Sequence, residues 1–129
     1  MSQTMLAFLA MTIAALAAIN QLTAQIQSYD EAYRAEYELM ANALVLEQIE
    51  LIDLTTDYDD LEDWDGQQLT RSYSVSSGDV DFVLTIAVGY VDDDGEPSET
   101  ETNQKEVSVA GTQERYSVTL VTHTRIIAE

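Results

Sequence analysis

Cysteine is absent from the 129 residues, which excludes disulfide bridges and thiolate–metal chemistry. Proline occurs once, at Pro97, and glycine five times, with no glycine before Gly66. Almost nothing in the first half of the chain can therefore break a helix. Basic residues are scarce as well. Five Lys and Arg face 24 Asp and Glu, for a formal net charge of −19. Such a surface repels the phosphates of DNA and RNA and the headgroups of anionic lipids, so no nucleic-acid partner is expected. The charge that is present is unevenly placed: from Met1 to Tyr29 there is no Asp, Glu, Lys or Arg. A chain this acidic with an uncharged end has two parts suited to two solvents.

What fills the uncharged end is the stretch MLAFLAMTIAALAAINQ, Met5 to Gln21. Its apolar run Met5–Ile19 is broken only by Thr12 and covers roughly 22 Å as a helix, short of the ~30 Å hydrocarbon core of a bilayer. The apolar pattern continues beyond it. Ala15, Ile19, Leu22, Ile26, Tyr29 and Tyr33 recur at alternating steps of four and three, and Tyr37, Met40 and Leu44 extend the series. This is the spacing of a helical seam that packs against other helices. Val45, Ile49 and Ile52 add an adjacent stripe. The pattern predicts one helix over about residues 2–53, roughly 75 Å long and far beyond the usual ~11–12 residues.

The acidic segment LTTDYDDLEDWDGQQ, residues 54–68, reads as a connector, with Trp64 pinning the loop. Beyond it the apolar period changes from helical to two. Leu69, Tyr73 and Val75 alternate with small polar residues, SSGD at 76–79 marks a turn, and Val80, Phe82, Leu84, Ile86, Val88 and Tyr90 share one strand face. DDDGEPS at 92–98 is a second turn. A polar strand with Val107 and Val109 near its end and Gly111 after it comes next, and the last strand places Tyr116, Val118, Leu120 and Ile126 on one side. The expected class is α+β: a four-stranded antiparallel sheet over residues 69–127, covered by the C-terminal half of the helix through Leu44, Val45, Ile49 and Ile52. Two parts are expected, a projecting hydrophobic helix over 1–28 and a globular head over 29–129.

Three uses of the uncharged end compete. A cleaved secretory leader needs a positive flank and a clear small-residue site, yet the first basic residue is Arg34 and the seam runs through the Ala15–Ala17 region without a pause. A simple membrane anchor does not need a seam that continues into Tyr29, Tyr33 and Tyr37. A helix end that buries itself among copies of itself, with acidic heads outside, uses every part of the pattern, and open head-to-tail contacts then generate a filament. With its apolar helix MLAFLAMTIAALAAINQ, the amphipathic extension QLTAQIQSYDEAYRAEYELMANALVLEQIELI, the connector and the sheet, the chain resembles the type IV pilin-like proteins. These include bacterial pilins, pseudopilins, and archaeal pilins and flagellins. The resemblance implies a lollipop-shaped subunit, inserted first in the cytoplasmic membrane and then drawn into a filament at the cell surface. Where many bacterial members carry a glutamate near the start of this helix, the chain has Met5, which removes a carboxylate that would be costly to bury unpaired.

On this reading the filament-core residues are Met5, Leu6, Phe8, Leu9, Ile13, Leu16, Ile19, Leu22 and Ile26. Tyr29, Tyr33, Arg34 and Tyr37 form a second contact region, against the simpler alternatives that the tyrosines pack on their own domain and that Arg34 pairs with Asp30 and Glu38 one turn away. The expected partners are identical subunits, with the cytoplasmic membrane before assembly. A membrane-anchored minor pilin, pseudopilin or other surface protein whose acidic head binds a partner, as in a secretion or adhesion machine, is the alternative; a soluble helical oligomerisation module stands third. No enzyme, cofactor or metal is expected. The acidic runs DWDG at 63–66 and DDDGE at 92–96 lack the full calcium-loop spacing, the single His123 is placed on a solvent-facing strand position, and no nucleophile elbow or phosphate loop is present.

Overall fold

The structure is a computed structural model and describes residues 2–129. Helix α1 spans Gln3–Thr55, 53 residues without a Pro or Gly. Its first turn is closed by Ser2, whose carbonyl accepts from the Met5 amide at 3.1 Å and whose Oγ lies 3.4 Å from the same donor. It ends where Asp57 turns extended, with φ −68° and ψ 153°. A 3₁₀ segment, Tyr58–Trp64, follows, then strands β1 (Gln68–Val75), β2 (Gly78–Tyr90), β3 (Gln104–Gln113) and β4 (Tyr116–Ala128). They form one antiparallel sheet in the order β1-β2-β3-β4, the simple meander expected. The chain divides into two compact units, Met1–Glu36 and Tyr37–Glu129.

In the second unit α1 covers the sheet. Ala41, Leu44, Val45, Ile49 and Ile52 are buried on it together with Phe82, Leu84 and Ile86 of β2 and Val107 and Val109 of β3. The segment between helix and sheet is ordered by this core rather than being a plain linker. Leu61 is fully buried, and the Trp64 indole packs on the core while its Nε1–H donates to Thr56 Oγ1 at 3.0 Å. The short hairpin between β1 and β2 turns at Ser76 and Ser77, and Gly78 takes the φ of +131° that a side chain would resist.

Three sequence expectations are corrected in this unit. Gly111 does not follow β3 but lies inside it, paired with Leu84 on one side and Val121 on the other. A Cβ there would meet Val45 Cγ2 at 3.0 Å and Ala41 Cβ at 3.5 Å, so glycine is what lets the helix approach the sheet. Strand β3 is also not simply polar: Lys105, Val107, Val109 and Gly111 alternate as its buried face. In β4 the register shifts between Gly111 and Gln113; Tyr116 and Leu120 still pack on the core side, against Tyr37 and the buried cluster, but Val118 and Ile126 do not. A bulge adds residues on one strand and reverses the alternation beyond it. Val121, His123, Arg125 and Ile127 therefore stand opposite the inward residues of β3, while Val118 and Ile126 are exposed.

The close approach at Gly111 makes a sharp test. Gly111→Ala is expected to lower stability by ~1 kcal/mol, and Gly111→Val by roughly 1–3 kcal/mol through overpacking. Thermal unfolding of the detergent-solubilised chain, followed by circular dichroism, measures both. A valine variant as stable as the parent would refute the close-approach account.

Candidate functional site

The first unit offers a surface rather than a cleft. Every large apolar side chain from Met5 to Ile26 is more than half exposed, from 52% at Leu6 to 74% at Phe8. This set holds all the residues expected at a filament core: Met5, Leu6, Phe8, Leu9, Ile13, Leu16, Ile19, Leu22 and Ile26. The polar interruptions are internally satisfied. Thr12 and Thr23 donate their hydroxyls to the carbonyls of Phe8 and Ile19, at 2.9 and 3.0 Å, so neither leaves a free donor in an apolar surrounding. α1 contains a stretch long and apolar enough to cross a membrane, none of it buried. The concavity bounded by Ser2, Thr4, Met5, Phe8 and Leu9, roughly 410 Å³, is a gap between side chains of one helix.

The second contact region is split by the fold. Tyr29 and Tyr33 are exposed, as is Arg34, and neither Tyr33 nor Arg34 lacks a partner. Tyr37 packs instead on the chain's own sheet, edge-on to Phe82 at 6.3 Å and to Tyr116 at 5.7 Å between ring centroids. The seam of the sequence therefore changes role along its length, because Tyr37, Met40 and Leu44 belong to the head's core.

Comparison with protein-family models, curated proteins and solved structures finds no match to this chain. Its architecture, a long N-terminal helix packed on a four-stranded antiparallel sheet, is compatible with a pilin-like fold.

Within the head, Arg71, Lys105 and Arg125 reach toward the inner side of the sheet, while Arg115 is exposed. Arg71 donates to Gln48 Oε1 at 2.8 Å, Arg125 pairs with Asp53 at 3.0 Å, and His123 Nε2 contacts Asn42 Oδ1. His123 is thus half-buried against the helix, which corrects its expected solvent-facing position; the β4 bulge is the reason. Lys105, only 2% exposed, was not singled out by its sequence context. Its Nζ donates to the Tyr58 carbonyl at 2.8 Å, sits 3.9 Å from Glu62 Oε1 and lies 4.3 and 5.3 Å from the Tyr58 and Tyr90 ring centroids. An ammonium ion held between two ring faces, a carbonyl and a carboxylate is a structural clamp with no room for a ligand. The alternating β3 pattern, with Lys105 in phase with Val107 and Val109, was the signal available for it.

The acidic loops have structural tasks. Asp92 Oδ1 accepts from the amides of Asp94 and Glu96 at 2.9 and 3.0 Å, closing its own turn. Asp65 Oδ1 accepts from the Val88 amide at 2.9 Å, standing in for a strand carbonyl just before β1 begins. Among the described residues no group of three or more His, Cys, Asp or Glu is arranged to hold a metal.

The clamp has a pH signature. The Glu62 hydrogen bond, burial and the nearby charge of Glu101 push Tyr90 up to about 12, and burial with the charges of Glu129 and Glu101 also raises Tyr58. Both phenols are neutral in the fold at pH values where they ionise in the unfolded chain. Their stabilisation is complete below the ordinary tyrosine value of 10.0, and that of Tyr90 is lost as pH rises through about 12. Phenolate absorbance should show a late phase in this window. Glu62→Gln should move that phase down and flatten the alkaline loss of stability; an unchanged titration would contradict the Glu62–Tyr90 bond.

Proposed function

We propose that the chain is a structural subunit of an extracellular, pilus-like helical filament, assembled through its N-terminal hydrophobic helix. The observation that carries this reading is the unburied apolar surface from Met5 to Ile26. Monomeric soluble proteins rarely expose more than a few hundred Å² of contiguous apolar surface, and burying each of these half-exposed side chains recovers on the order of 1–2 kcal/mol. Repulsion between heads carrying the −19 charge opposes assembly. That repulsion is screened over ~8–10 Å in physiological salt, whereas the apolar surface is released from water at contact, so contact wins. The acidic head belongs on the outside and the uncharged helix inside. Before assembly the same helix resides in the cytoplasmic membrane, which its length and composition suit.

The membrane-compatible stretch also favours a second reading, in which the helix stays in the bilayer and the head binds a partner as a minor pilin or surface protein. Electron microscopy of surface-sheared material separates the two, since only the first yields a homopolymeric fibre. Leu9→Asp or Ile13→Asp is expected to abolish fibres while the head unfolds at the parent temperature, because both side chains lie outside its core. Normal fibres from either variant would end the filament reading.

A further inference from the structure

Packing α1 on the sheet leaves its opposite side bare, and that side carries leucines among its carboxylates. Leu39, Ala43, Leu46 and Leu54 lie there at helical spacing, away from the buried Ala41, Val45, Gln48 and Ile52. Leu39 is 71% exposed, Leu46 40% and Leu54 78%. A helix supplies apolar residues to a core on one stripe and normally charge on the other, so a second leucine stripe needs a partner.

We infer that this stripe is the docking surface for the uncharged Met5–Ile19 segment of a second copy. The inference rests on the filament reading and names the contact that would propagate it. Three features select the occupant. The stripe is accompanied by exposed Glu36, Glu47 and Glu50, so another acidic head is repelled there, whereas residues up to Tyr29 bring no charge at all. Length matches: at ~1.5 Å per residue, Met5–Ile19 covers about 22 Å and Leu39–Leu54 about 24 Å. When the helices run parallel, offset by five heptads, apolar residues meet apolar ones: Phe8 faces Ala43, Met11 faces Leu46 and Ile19 faces Leu54, while Ala15 faces Glu50 and leaves its long side chain a path to the rim. The two surfaces differ, so each copy offers one and accepts with the other, and the contact does not close.

The absence of cysteine makes the test clean. Leu46→Asp/Leu54→Asp should abolish fibres with the head's unfolding temperature unchanged, because neither side chain is in the core. Fibres of parent abundance would overturn the docking surface, and leave the filament reading standing if Ile13→Asp still abolishes them. Phe8→Cys/Ala43→Cys and Ile19→Cys/Leu54→Cys, oxidised in sheared material, should each give a ladder of covalent oligomers. The antiparallel combination Phe8→Cys/Leu54→Cys should give none. Fibres without a ladder from both parallel pairs, or products that stop at a dimer, would overturn the proposed occupant and its direction. Loss of fibres from both cysteine pairs together with parent-like fibres from the aspartate variant would overturn it equally.

Discussion

The head depends on how closely α1 can approach β3. At Gly111 the sheet has no side chain, and Val45 and Ala41 occupy the space a Cβ would need. That contact sets the rotation of the helix about its axis. Once Ala41 and Val45 face Gly111, Leu44, Gln48, Ile49 and Ile52 must lie against the sheet, and Leu39, Leu46 and Leu54 must face away. A helix has one cylinder of surface, so what it gives to its own sheet determines what is left for other molecules. Tyr37, Met40 and Leu44 show the trade directly. They continue the apolar series of the first unit, yet they are taken by the head's core.

Charge follows the same division. Arg71, Lys105 and Arg125 point to the inner side of the sheet, where they hold Gln48, the Tyr58 carbonyl and Asp53, and His123 meets Asn42 beside them. These polar contacts are spaced along the covering helix and the 3₁₀ segment, so they help fix its position on the sheet as well as contributing energy. Cations used inside are not available to neutralise the outer surface. The result is an acidic head attached to a helix whose first part carries no charge, a combination that favours contacts through the helix over contacts between heads.

Much of this was legible in the chain. An unbroken helix follows from the lack of Pro and Gly before Gly66, and the change of apolar period after residue 68 marks the sheet. The buried role of Leu44, Val45, Ile49 and Ile52 follows from their spacing. What was not legible involves contacts between distant elements. The inward Lys105 sits in a run that reads as polar, because the two tyrosine rings that receive it come from residues 58 and 90. The reversal of His123 comes from a bulge in β4, and a shift of register turns every later side chain to the other face without altering the alternation that the sequence displays.

By itself the sequence determined the elements, the class and the uncharged apolar end, since each depends on local composition and period. Tertiary structure alone decided which part of the helical seam is used internally and which leucines remain outside. Periodicity identifies a stripe but not its partner. Only the close approach at Gly111 assigns one side of α1 to the sheet and leaves the other to the surroundings.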